Sequence, residues 1–330
     1  MTGNRSDDWQ QAALFLKEGT RFLVVSHVHP DGDAIGSTLA VKAILDFLGK
    51  ESGLTNESPV PSKFRFLPGS EAVVPPQNLD GFAFDRVVAV DVADRGRMGA
   101  VWEHITADIP LLNIDHHPTN DRFGTVNLVV EDAAATTQIL FHLARKLDVP
   151  FDRALAIPLY TGLLTDTGGF RYSNTNPEVM EMAAALLRHG VDAGQIAERV
   201  METLTRGQLA ILQRALSDLQ FTSDGRVGWI WLTCRDLEEA EAEEDDLDGI
   251  VNYARNVAGV DVGILFRETE AGNVKVSLRS REIVDVAALA HSFGGGGHAR
   301  AAGCTLSGSR EEVESQLLEK VMASLEQGGD

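Results

Sequence analysis

Four short segments of the 330-residue chain carry groups that hold metal ions or move protons. The first is His27-Val28-His29-Pro30-Asp31-Gly32-Asp33 and the second a lone Asp91. The third is Asp115-His116-His117, and the fourth is Asp166 within Thr165-Asp166-Thr167-Gly168-Gly169. Carboxylates with a minority of imidazoles and no thiolate favour Mn²⁺ or Mg²⁺ over a structural zinc. His27, Asp31 and Asp33 lie on one short loop, so they can face adjacent ions. Two ions about 3.5–4 Å apart need a bridging carboxylate, and they activate a water for in-line attack at phosphorus. Metal-free acid–base chemistry is the weaker reading, because so many anionic groups in one cleft repel each other and an anionic substrate. Any one of these residues alone reads as a strand-end turn or a structural histidine. Four groups on one sheet edge read as a site.

A second kind of chemistry lies in Phe293-Gly294-Gly295-Gly296-Gly297-His298. Consecutive glycines permit positive φ and let backbone N–H groups approach an anion closely; the bland alternative is a surface turn. Nearby, Val274, Val276 and Leu278 alternate with Lys275, Ser277 and Arg279, so a strand here puts Arg279 on one face with Lys275 and Ser277.

The elements that must position these groups are legible as short apolar runs. Residues 21–27, 86–91 and 110–117 are runs of Val, Leu and Ile that end in polar residues. Continuous apolar runs suit strands covered on both faces. Amphipathic helices are expected at 35–48 and 133–147, and a more buried one at 155–164. Strands alternating with helices predict a mostly parallel α/β sheet, and ligands collect outside the carboxyl ends of such strands. Further helices are expected at 178–189, 193–201 and 208–219, with Gly190 as a stop between the first two. In the second half, strands at 219–222 and 227–233 flank the turn Ser223-Asp224-Gly225, and others follow at 263–268 and 273–280. Residues 236–248 are densely acidic with no basic residue, and read as a solvated loop leading into a helix at 247–258.

Composition bounds the partners. Hydrophobic residues make up 44% and charged residues 24%, ordinary for a globular chain with sizeable cores. Lys plus Arg is 29 against 49 for Asp plus Glu, a net charge of −20. Affinity for a phosphate backbone comes mainly from Lys and Arg, so stable coating of long nucleic acid or of an anionic membrane is not expected. A small anionic substrate remains open, since local cations or metal ions can reverse the field in one cleft. Cys234 and Cys304 have no metal-binding spacing and support no disulfide scaffold. Residues 1–11 are polar and no apolar run approaches the ~18–20 residues that span a bilayer, so a cytoplasmic location is expected.

Taken in order, His27-x-x-x-Asp31-x-Asp33, Asp91, Asp115-His116-His117 and Asp166 resemble the four motifs of the DHH phosphoesterase superfamily. Residues 293–303 resemble the glycine-rich signature of the DHH-associated domain, and Val276-Ser277-Leu278-Arg279-Ser280 the strand before it. The likeness covers nearly the whole chain and is nearest to the nanoRNase group, the bifunctional oligoribonuclease and phosphoadenosine phosphate phosphatases. It implies an α/β fold with a parallel-sheet DHH domain at 1–190, a helical linker at 191–210 and a smaller α/β DHH-associated domain at 211–330. His27, Asp31 and Asp91 would then hold one ion, and Asp33, Asp91, His116 and Asp166 the other, with Asp91 bridging. His117 would contact the scissile phosphate. Arg279, Gly295, Gly296, Gly297 and His298 would bind the substrate's far end across a cleft between the domains. His29 matches no ligand position and reads as a loop residue.

The resemblance implies a hydrolase using two divalent cations, Mn²⁺ before Mg²⁺. It would cleave very short RNA to mononucleotides and 3′-phosphoadenosine 5′-phosphate to AMP and phosphate, as a homodimer. Cyclic-dinucleotide phosphodiesterase, inorganic pyrophosphatase and RecJ-like exonuclease are the alternative enzymes. The glycine-rich motif argues against pyrophosphatase, while short length and acidity argue against the exonuclease. A nucleotide sensor is the non-enzyme alternative, and a complete ligand set argues against it.

Overall fold

The computed structural model describes residues 5–79, 81–106, 108–269 and 271–327; residues 1–4 of the polar amino terminus lie outside them. The chain divides into two compact units, Met1–Thr203 and Leu204–Asp330.

The first unit contains α1 (Arg5–Glu18), β1 (Arg21–Val25), α2 (Gly32–Phe47), β2 (Glu51–Thr55), β3 (Val73–Val74), β4 (Arg86–Val90), β5 (Leu111–Asp115) and β6 (Val126–Val129). These are followed by α3 (Thr136–Lys146), α4 (Arg153–Asp166), α5 (Pro177–Arg188) and α6 (Ala193–Ala197). The six strands form one parallel sheet in the order β3-β2-β1-β4-β5-β6. The apolar runs of β1 and β4 are continuous because each strand is buried on both faces. Phe22, Val24, Val88 and Val90 join the core beneath the long helices, whereas Leu23, Val25, Val87 and Ala89 join a second cluster with Met98 and Val101. Strand order reverses between β1 and β4, which opens a crevice outside their carboxyl ends.

The expected helix at 155–164 is the centre of α4, which packs closely on α2. A Cβ on Gly162 would stand 2.7 Å from Asp33 Oδ1 and 2.5 Å from Thr137 Cγ2. Only glycine allows that approach, and it brings the end of α4 to the start of α2. Asp166 is the last residue of α4 itself.

The second unit holds α7 (Arg206–Ser217), β7 (Gln220–Phe221), β8 (Val227–Leu232), α8 (Cys234–Glu239), α9 (Ile250–Arg255), β9 (Val262–Glu268) and β10 (Asn273–Ser280). It ends with α10 (Val286–His291), β11 (Gly296–His298), β12 (Ala301–Ser307) and α11 (Arg310–Gln327). Its sheet runs β11-β12-β10-β9-β8-β7, with only β8 and β9 parallel. Val274, Val276 and Leu278 turn into a core with Val313, Leu317 and Val321 of α11. The opposite face shows Lys275, Ser277 and Arg279, as the alternation predicted.

Two expectations differ from the structure. The acidic stretch at 236–248 is not a solvated loop throughout. Thr233 caps α8 and Glu243 a short 3₁₀ turn, and Asp236 and Asp246 complete the two capping boxes by accepting from the cap residues' amides, which satisfies both carboxylates where they are buried. The glycine tract is a turn only at its start, where the Gly294 amide donates to the His291 carbonyl at 3.0 Å. From Gly296 it runs as the edge strand β11 beside β12; a Cβ on Gly295 would stand 2.1 Å from the Gly303 carbonyl oxygen and one on Gly297 2.5 Å from that of Ala301.

Candidate metal centre

The adjacent strands β1, β4 and β5 deliver His27, Asp91 and His116 to one edge of the sheet, each just past a carboxyl end. Asp31 is the N-cap of α2, where Oδ1 accepts from the Asp33 and Ala34 amides at 3.0 Å each. Asp33 follows in the first turn of α2, and Asp166 arrives from the end of α4. His29 lies apart from this set in the loop, with its amide on Ser58 Oγ.

Backbone carbonyls fix both imidazoles. His27 donates Nδ1–H to the Val28 carbonyl at 2.8 Å and His116 donates Nδ1–H to that of Ala133 at 3.2 Å. Each ring therefore turns Nε2 towards the carboxylates, the tautomer a ligating histidine needs. His27 Nε2 lies 3.5 Å from Asp91 Oδ2 and 3.9 Å from Asp31 Oδ1. His116 Nε2 lies 3.6 Å from Asp91 Oδ1 and 3.3 Å from Asp166 Oδ2. The two oxygens of Asp91 thus face different histidines. Asp91 itself is buried with φ of 59°, a left-handed conformation rare outside glycine and costly where it occurs.

The electrostatics are those of a crowded anionic cluster. Burial, together with the charge of Asp91, pushes the Asp33 carboxyl up to about 7. Burial also drives Asp166 well above the ordinary carboxylate range, helped by Asp33, Asp31 and Asp91. Burial alone would raise Asp91 too, but its bond to His27 and the charges of His117 and His116 hold it below that range. Burial alone would lower His27, His116 and His117, and the neighbouring carboxylates instead raise all three. Without a cation, this cluster holds protons that a cation would displace.

The donor set fits divalent metal. Donor atoms of His27, Asp31 and Asp91 lie within 4.8 Å of one another, and so do those of Asp33, Asp91 and His116. Asp91 belongs to both groups.

Four supporting residues had no role assigned from sequence. Asp115 Oδ1 accepts from His117 Nδ1–H at 2.7 Å, and its Oδ2 accepts from Asn120 Nδ2 at 2.6 Å. At the start of α3, Asp33 accepts from the amides of Thr136 at 2.6 Å and Thr137 at 3.0 Å, and from Thr137 Oγ1 at 2.7 Å. Thr136 Oγ1 donates to Asp91 Oδ1 at 3.0 Å. Threonine at a helix start is an ordinary cap, so nothing in the sequence marks these two; for Asp115 and Asn120 the signal is their place beside the histidine pair.

Residues 21–163 match the model of the DHH family, N-terminal domain, and residues 228–327 that of the DHHA1 domain. Over its whole length the chain is 38% identical to the bifunctional oligoribonuclease and PAP phosphatase NrnA of Thermus thermophilus, 99% of which is covered. The chain belongs to the DHH family. Its DHH and DHHA1 domains also align with NrnA of Bacillus subtilis, at 23% identity over 85% of this chain and 87% of that protein. The crystal structure of an exopolyphosphatase-related protein from Bacteroides fragilis superposes with a TM-score of 0.88 at 26% identity, covering 98% of this chain and 96% of that one. In the DHHA1 unit, Arg279 and His298 stand on either side of Ala301 of β12. The Gly295 amide is used to close α10, donating to the Ala290 carbonyl at 2.9 Å.

Proposed function

We propose that this DHH protein is a metal-dependent phosphohydrolase that cleaves very short RNA to mononucleotides and 3′-phosphoadenosine 5′-phosphate to AMP and phosphate. The observation that carries the reading is Asp91, whose Oδ2 faces His27 and whose Oδ1 faces both His116 and His117, at the centre of a ring of carboxylates. His27, Asp31 and Asp91 would hold one cation, and Asp33, Asp91, His116 and Asp166 the other. Such cations supply Lewis-acid charge on the phosphate and acidify a bound water. Mn²⁺ is the ion we favour, because the donors are carboxylates and imidazoles without thiolate.

The remaining work falls to side chains of the protein. Asp115 holds His117 at Nδ1, so Nε2 faces outward to the phosphate. Burial would lower the ring's proton affinity, but the bond to Asp115 and the charge of Asp91 raise it instead, which suits the ring to neutralise the developing oxyanion and to protonate the leaving oxygen. Thr136 and Thr137 keep Asp91 and Asp33 in place whether or not metal is bound. In the DHHA1 domain, Arg279, Gly296, Gly297 and His298 would grip the non-reacting end of the substrate, with Gly295 shaping the strand. We place the domain junction at a helical segment near 191–210, the protein in the cytoplasm and the assembly as a homodimer, which light scattering would test.

The deciding experiment is product analysis with Mn²⁺ on diribonucleotides, longer RNA, 3′-phosphoadenosine 5′-phosphate, cyclic dinucleotides and pyrophosphate. Turnover of diribonucleotides to mononucleotides is expected. Turnover of pyrophosphate alone would replace the reading.

A further inference from the structure

The acidic stretch is unused by this function, yet one of its carboxylates reaches the substrate-facing side of the DHHA1 sheet. That face carries apolar cover over β8 and β9, through Ile230, Leu232 and Leu265, and among the described residues the cluster takes nothing from β10, β11 or β12. On the uncovered part, Arg267 stands opposite Lys275, and Arg279 lies on the same face about 13 Å further along β10. Between them the row of Ser277, Gly303 and Gly296 keeps the floor low.

Glu244 caps the first pair of cations. Its Oε1 accepts from Arg267 Nη1 at 2.7 Å and its Oε2 lies 3.8 Å from Lys275 Nζ. The Arg267 side chain is 11% exposed and that of Glu244 is 51% exposed, so the carboxylate is the solvent-side lid of a nearly buried guanidinium. The turn that holds it is anchored. Asp246 accepts from Thr205 Oγ1 at 2.5 Å and from the Glu243 amide at 2.9 Å. A Cβ on Gly207 would stand 2.7 Å from Asp246 Oδ2, so the start of α7 presses directly on that anchor. A carboxylate and a phosphate diester compete for the same guanidinium geometry.

We propose that Arg267 and Lys275 form a further phosphate subsite on the face that carries Arg279, and that Glu244 fills it as an internal phosphate mimic. An RNA long enough to bring another phosphate there must displace Glu244, whereas a dinucleotide held at Arg279 does not reach it. Glu244 therefore sets an upper limit on substrate length. The substrate class rests on the proposed function; the subsite and its lid rest on the geometry.

The test is the binding of fluorescent di- and pentaribonucleotides with non-hydrolysable phosphate linkages to the Mn²⁺-loaded protein. Glu244→Gln should tighten pentamer binding by about tenfold, the effect of one charge-assisted contact, and leave the dimer within about twofold. The salt dependence for the pentamer should steepen by about 0.7 for each phosphate newly neutralised. Adding Lys275→Ala should remove most of the gain. Lys275→Glu, at an exposed strand position, puts a second carboxylate beside Arg267 and should lower the pentamer-to-dimer ratio in the otherwise unaltered protein. Equal changes for both lengths, or an unchanged ratio in Lys275→Glu, would overturn the proposal. Pentamer binding that follows these variants in a protein that hydrolyses neither RNA would uphold the subsite and reject the proposed function instead.

Discussion

Asp115 holds His117 through Nδ1, so in the proposed reaction it acts through that ring, and its effect should be separable from metal binding. Asp115 accepts from two donors, His117 Nδ1 and Asn120 Nδ2, whereas an asparagine there offers one acceptor oxygen and no charge, so the bond that fixes the proton on the ring is weakened. Asp115→Asn should lower kcat by about two orders of magnitude, a typical loss for a general acid, with Mn²⁺ affinity by calorimetry unchanged. The buried acids make a second, thermodynamic signature. Asp33 rises from 3.8 to about 7 on folding, so the folded protein keeps a proton that the unfolded chain loses between those values. Its contribution is complete below the unfolded value and is lost as pH climbs through about 7. The raised histidines act in the same direction, and Asp91 acts oppositely only at pH below the ordinary carboxylate range. Metal-free protein should therefore melt several degrees lower at about pH 8 than at about pH 5.5, whereas Mn²⁺-loaded protein should vary much less. A rising melting temperature in EDTA over that window would contradict the account.

At the scale of elements, the site depends on how closely α4 passes α2 and α3. Gly162→Ala inserts a methyl into space already held by Asp33 and Thr137. A loss of about 1–3 kcal/mol is expected from overpacking, with weaker Mn²⁺ binding as Asp33 is pushed aside. Denaturant melts and calorimetry check both halves; a loss of stability without weaker metal binding would mean that Asp33 is not held by this contact. The strands that carry ligands were legible because β1, β4 and β5 are buried on both faces and therefore apolar throughout. β2 and β6 were missed, since only part of each is buried and Glu-Ser-Gly-Leu-Thr carries no apolar run. The four segments that meet at the candidate metal centre were legible from residue type and order. The Thr136 and Thr137 bonds were not, because their partners lie 45 to 104 residues away and only the fold brings them together. β11 was hidden for a different reason. Gly295 and Gly297 are there to avoid the backbone of β12, and absent side chains leave no periodicity to read.

At the scale of the whole molecule, the net charge of −20 and the proposed division of labour between domains make two linked expectations. A dinucleotide should be hydrolysed faster than a twenty-mer at equal concentration; equal rates would favour a processive exonuclease. Arg279→Ala should reduce kcat/KM on dinucleotides roughly ten- to a hundredfold, the cost of one charge-assisted contact. On bis(p-nitrophenyl) phosphate, which has no nucleotide to grip, the loss should be much smaller. Equal losses would tie Arg279 to the metal centre or to the fold.

The backbone at Asp91 has a consequence for what sequences this position can explore. A φ of 59° admits glycine, asparagine and aspartate far more readily than any longer or branched residue. The metal centre proposed above, however, asks for a carboxylate with both oxygens engaged. Only aspartate meets both demands. Neutral drift at this codon is thus closed in two independent ways: glycine and asparagine keep the chain folded without chemistry, and glutamate keeps the charge on a backbone that resists it. Saturation mutagenesis under selection for RNA turnover should return aspartate alone at 91, while a screen for soluble expression should recover glycine and asparagine as freely as the parent.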